Sequence, residues 1–144
     1  MNIRATGIKE LTATLGSAPK DIANAGFERA ANAAMGVFRA EIEQRTPVVT
    51  GELLAALTTQ TVKLDPPGVV STIYFGGKQG SVAFWLEYGH REVGHKPGLE
   101  ELGFVNPQPI FRPAFDVSEG EAVEAFEASI EKTVGQIYPS VGVA

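Results

Sequence analysis

Between Lys20 and Arg45 the apolar residues Phe27, Ala31, Ala34, Phe38 and Ile42 recur every three or four positions, which places them on one face of a helix. Ala30, Ala33 and Ala40 lie beside that stripe. Such a helix can pack closely on two sides, against a sheet and against a neighbouring chain, although alanine's helix propensity accounts for these residues equally well. Ser17 and Pro19 mark its entry. Thr46-Pro47 marks its exit, because the residue before a proline avoids the helical region. A short helix is predicted directly afterwards over Gly51 to Ala56, with Thr50 as its N-cap and Glu52 favoured in its first turn.

The pattern then changes period. Thr58 to Leu64 and Val69 to Phe75 read as two strands, and Asp65-Pro66-Pro67-Gly68 between them imposes a reversal, so a β-hairpin is predicted. Gly76-Gly77-Lys78-Gln79-Gly80 reads as a flexible turn. The apolar, aromatic run Val82 to Tyr88 is too short for periodicity to separate a strand from one or two helical turns. From Gly89 to Pro109 the regular pattern disappears amid glycines and prolines, and a long loop is expected, a feature often tied to function or mobility. Ser118-Glu119-Gly120-Glu121 has the capping-box spacing for a last helix. Val123, Phe126, Ile130, Val134 and Ile137 form that helix's apolar stripe, and Pro139 closes it. No internal repeat interrupts the chain, so one domain over residues 1–144 is expected.

Composition narrows the class. At 144 residues with 44% hydrophobic content, the chain can bury one core. It has no run of 18 or more apolar residues and no basic start leading into an apolar stretch and a cleavage site, so neither a membrane span nor a secretion leader is expected. The absence of cysteine excludes disulfides, thiolate metal sites and cysteine nucleophiles, and suits assembly in a reducing cytoplasm. A net charge of −5 argues against gripping nucleic acid by its phosphates. It is compatible with a surface past which DNA slides.

Candidate chemistry is sparse. His90-Arg91-Glu92-Val93-Gly94-His95 holds two histidines five apart with an acid between them. Metal-binding helices space their histidines by four, and Gly89, Gly94 and Pro97 oppose a helix here. A solvated loop or a polar subunit contact is the simpler reading; a small metal-dependent hydrolase using His90, Glu92 and His95 is the rival from another class. Glu87, Glu92, Glu100 and Glu101 lack any accompanying nucleophile elbow or Ser-His-Asp order. Glu87 stands apart because it lies among Phe84, Trp85, Leu86 and Tyr88, where a carboxylate needs a partner. Arg112 is the partner to test first. The Gly76 to Gly80 segment lacks phosphate-loop spacing. Lys63, Lys78, Arg91, Lys96 and Arg112 are scattered among acids, so no basic stripe for nucleic acid forms.

Three motifs in order carry a resemblance. The alanine-rich helix runs into Thr46-Pro47-Val48-Val49-Thr50-Gly51-Glu52-Leu53, similar to a "T-P-x-x-T-G-x-L" turn. Ala83-Phe84-Trp85-Leu86-Glu87-Tyr88-Gly89 is similar to an "A-x-x-x-E-[aromatic]-G" segment. Gln108-Pro109-Ile110-Phe111-Arg112-Pro113-Ala114-Phe115 is similar to a "P-F-[aliphatic/R]-P-A" entry to a last helix. Together, over roughly Lys20 to Gln136, the chain resembles the small neck or tail-completion proteins of long-tailed phages, also labelled head-tail joining or minor tail components. It departs from them at His90, where a small residue or Thr is usual, and in a longer stretch from His90 to Asn106. Independently of the family, Pro109 and Pro113 are expected to hold Phe111 in an extended, preordered path.

The expected fold is α+β, with a long N-terminal helix and a C-terminal helix packed on a mostly antiparallel sheet. The resemblance implies a non-enzymatic virion protein, assembled in the host cytoplasm, whose copies close into a ring, six-fold, at the head-tail joint or the head-proximal end of the tail. It implies other neck and tail proteins as partners, genomic DNA passing without sequence-specific binding, and no cofactor, metal or membrane. A tail terminator is the near alternative, and a host-derived binding module a more distant one. A closed ring needs two different complementary patches on each copy. Candidate contact residues are Phe84, Trp85, Glu87, Tyr88 and His90, then Arg91, His95, Phe104, Phe111 and Arg112.

Overall fold

A computed structural model of the chain describes residues 8–94 and 101–139. The elements in order are α1 (Ile8–Gly16), α2 (Lys20–Arg45), α3 (Glu52–Ala55), β1 (Leu57–Lys63), β2 (Val69–Phe75), α4 (Gln79–Tyr88), β3 (His90–Val93), β4 (Glu101–Val105) and α5 (Phe111–Ile137). The strands form two separate two-stranded sheets, β1 with β2 and β3 with β4. The class is α+β, as expected. The chain divides into two compact units.

The first unit takes in α1, α2 as far as Phe38, the turn end of the β1–β2 hairpin from Thr59 to Thr72, and α5 from Ser118 onward. Its core joins Leu15, Ala18, Ala23, Phe27 and Ala30 to Ile130 and Val134. Gly26 explains how closely these helices meet: a Cβ there would lie 2.8 Å from a Leu15 methyl and 2.9 Å from the Thr133 methyl. Polar pairs tie the hairpin to α2. The Gly68 amide donates to buried Asn24 Oδ1 at 3.1 Å, Thr61 Oγ1 donates to Asn32 Oδ1 at 3.0 Å, and Lys63 pairs with Glu28 at 3.0 Å. The hairpin turn closes through Leu64 N–H to the Gly68 carbonyl at 2.9 Å, where the proline-glycine signal predicted it.

The second unit comprises α2 from Arg39, α3, the other end of the hairpin, α4, β3, β4 and the start of α5 through Val117. Ile42, Leu53, Leu57, Phe75, Ala83, Ile110 and Ala114 form its core. The Phe75 and Phe111 rings meet edge to face at 5.5 Å, a favoured aromatic geometry.

Four expectations need correction. α1 was not anticipated, although Ile8, Leu11 and Leu15 carry helical spacing. The short helix starts at Glu52, with Gly51 as its N-cap at φ +80°; Thr50 Oγ1 only accepts a long 3.4 Å bond from the Glu52 amide. The expected loop from Gly89 to Pro109 contains the antiparallel pair β3–β4, with an irregularity between Glu92 and Val93. Such short strands lack the length for a periodic signal and depend on their partner. Finally, α5 opens at Phe111 rather than at Ser118, which is buried inside the helix. Phe111 is therefore helical and not extended. Pro113 sits in the first turn, where its missing N–H breaks no helical bond.

Candidate functional site

The site begins with α4. The ambiguous run Val82 to Tyr88 is helical, which turns Ala83 and Glu87 inward and leaves Phe84, Trp85 and Tyr88 between 48% and 59% exposed. The Phe84 and Tyr88 rings pack on each other at 4.8 Å, as residues four apart on a helix can. The next residue, Gly89, has φ +75° and ψ 171°, a region open essentially to glycine alone. A Cβ there would approach the Val105 carbonyl to 2.6 Å and the Phe104 ring to 2.8 Å. Glycine thus lets the chain turn directly from α4 into β3 while β4 lays Phe104, 59% exposed, against the turn.

Beneath this surface lies a buried carboxylate. Glu87 Oε2 accepts from the amides of Ile110 at 2.6 Å and Phe111 at 3.0 Å, and Oε1 accepts from the Arg112 amide at 3.3 Å and its Nε at 3.0 Å. Arg112 also donates through Nη2 to the Glu87 carbonyl at 3.1 Å. One helix thereby supplies from its last turn the anionic cap for another helix's first turn, satisfying otherwise orphan amides and complementing the helix dipole. Burial pushes the Glu87 pKa up, but the bonds from Ile110, Phe111 and Arg112 outweigh it and hold the carboxyl below its ordinary value. A further bond, from the Gln108 amide to the Leu86 carbonyl at 2.7 Å, closes the same joint. The second and third motifs read in the sequence are two halves of one clasp.

Arg112 links the clasp to the surface. Its side chain is 63% exposed against 6% for that of Glu87, and its guanidinium carbon lies 5.3 Å from the centre of the Tyr88 ring, within cation–π range. The predicted Glu87–Arg112 pair is thus present. Of the other expected contact residues, Phe111 is partly buried and packs against the core of the second unit. Arg91 lies opposite Phe104 in the β3–β4 register. The His90 ring packs on Trp85 at 5.6 Å, with its Nδ1 buried and without a hydrogen-bond partner. His95 lies outside the described residues.

Sequence reasoning did not single out other exposed apolar residues, among them Val93 on β3, Leu102 on β4, and Val49 in the loop after α2, which is 93% exposed. Val62, Leu64 and Val70 on the hairpin were missed too. Part of the signal was available for the hairpin: alternation leaves Val62, Leu64, Val70 and Tyr74 facing outward together with the polar Thr58, Gln60 and Thr72. Among the described residues no three His, Asp or Glu side chains stand where they could hold one metal ion, so the hydrolase reading gains no support. No described helix is long and apolar enough to cross a membrane.

A family model described as "Bacteriophage HK97-gp10, putative tail-component" matches residues 9–89, more than half of the chain. The match takes in the first two motifs and ends at Gly89. No curated protein matches the chain, and no solved structure does.

Proposed function

Because the chain belongs to the HK97 gp10-like family of bacteriophage tail components, we propose that it is a non-enzymatic virion protein that joins head to tail. Copies assemble in the host cytoplasm into a closed ring, six-fold, at the head-tail joint or the head-proximal end of the tail. Genomic DNA passes through without sequence-specific binding, which the net charge of −5 favours. Other neck and tail proteins dock on the ring.

The observation that carries this reading is the surface of Phe84, Tyr88, Phe104 and Arg112. Large aromatic residues exposed together, with an arginine among them, have the composition of an interface centre. A ring contact is heterologous, so a different surface must meet it. The outward hairpin row of Val62, Leu64 and Val70, each between 45% and 51% exposed, supplies that second surface on the next copy.

Immuno-electron microscopy of intact particles tests the placement. Label at the junction between head and tail is expected; label confined to the distal end of the tail contradicts it.

A further inference from the structure

We infer that Glu87 is a positioning residue of the subunit contact: it touches no partner itself but fixes the arrangement in which Arg112, Tyr88 and Phe84 meet the neighbouring copy. This inference rests on the reading of that surface as an interface. Glu87 is 5% exposed, too buried to form a contact. Its carboxylate takes three backbone amides and the Arg112 Nε, while its own carbonyl takes Nη2. Two separate bonds to one residue hold the guanidinium plane, which a single ion pair would leave free to swing. The held guanidinium lies over Tyr88, and Tyr88 packs against Phe84. A chain of contacts thus runs from a buried anion to two exposed rings.

The consequence is energetic as well as geometric. Exposed aromatic and arginine side chains lose rotamer freedom when a partner covers them, at about 0.5–1.5 kcal/mol for each immobilised side chain. Side chains ordered before the encounter lose less. Sequence alone shows an acid beside aromatics; the structure gives that acid a reason to be there.

The test uses the full chain and three variants, Glu87→Gln, Arg112→Lys and Phe84→Ala, each read by amide hydrogen exchange, by acrylamide quenching of Trp85, the chain's single tryptophan, and by infectious titre when supplied to particles lacking this chain. In Glu87→Gln the amides of Ile110, Phe111 and Arg112 should exchange at least about tenfold faster while those of Phe27 to Ala31 keep wild-type rates, and titre should fall at least about tenfold. Arg112→Lys keeps the charge but loses the two-point grip; it should lower titre as much while leaving the three amides protected by Glu87. Wild-type exchange at those amides in Glu87→Gln, or wild-type titre in Glu87→Gln or Arg112→Lys, overturns the positioning role. Phe84→Ala separates that failure from a failure of the interface reading. If Phe84→Ala lowers titre but Arg112→Lys does not, only the positioning role falls; if Phe84→Ala is also harmless, the interface reading falls with it.

Discussion

The two units of this chain are held by different means. In the first, Leu15, Phe27, Ile130 and Val134 close an apolar core between helices, Gly26 brings the helices together, and the polar links Gly68–Asn24 and Lys63–Glu28 fasten the hairpin. In the second, a core of similar make-up is joined to a buried carboxylate that caps another element's helix and to a glycine in a backbone region other residues avoid. Packing is non-directional and tolerates repacking. A charged clasp and a glycine at φ +75°, ψ 171° specify one geometry. The unit built on this clasp also exposes Phe84, Trp85, Tyr88 and Phe104, the surface proposed to meet another chain.

The largest expected effect lies in the first unit. Ile130→Ala, at a side chain 1% exposed, should cost about 4 kcal/mol by the lost transfer energy and the cavity left behind, read as a lower urea midpoint. Particles supplied with it should still join where it remains folded. Gly89→Ala comes next, at about 3 kcal/mol for backbone strain of this kind, and its Cβ would also press on the Val105 carbonyl and the Phe104 ring. A cost well below 1 kcal/mol would show that the turn into β3 adapts, and would weaken the contrast between the units.

Smaller effects concern the clasp and the surface. The folded-state pKa of Glu87 is lowered, so its contribution is complete above the ordinary value of 4.5 and is lost as pH falls below it. Glu87→Gln should cost about 2 kcal/mol at neutral pH, as expected for hydrogen bonds to a charged group. The difference from wild type should shrink as pH falls, followed by urea titration at several pH values; a constant difference would contradict the charged clasp. Phe84→Ala should change stability by less than about 0.5 kcal/mol, because its ring is 59% exposed, yet lower the yield of joined particles. A large stability loss would make the ring a core residue and not a contact.

Legibility in the sequence followed the range of the interactions involved. The ends of α2 were readable because Pro19 and Thr46-Pro47 act within a residue or two, and the hairpin because Pro66, Pro67 and Gly68 fix the reversal locally. The start of α5 was misplaced because its cap, Glu87, comes from an element more than twenty residues away, so the nearer Ser118 signal was taken instead. The same carboxylate was nevertheless flagged, since an acid among Phe84, Trp85 and Tyr88 demands a partner, and Arg112 is that partner. β3 and β4 were read as loop because four or five residues cannot display a period. The exposed Val62, Leu64 and Val70 of the hairpin went unread because alternation alone does not say which face of a two-stranded sheet is left uncovered.

Photo-crosslinking from position 84 in intact particles tests the central claim most directly. With Phe84 exchanged for benzoylphenylalanine, irradiation should yield a covalent dimer of this chain, with the crosslink in the β1–β2 hairpin of the second copy. A dimer formed with the same group at Val49 but not at position 84 would contradict the claim that the aromatic face of α4 is where one copy meets the next.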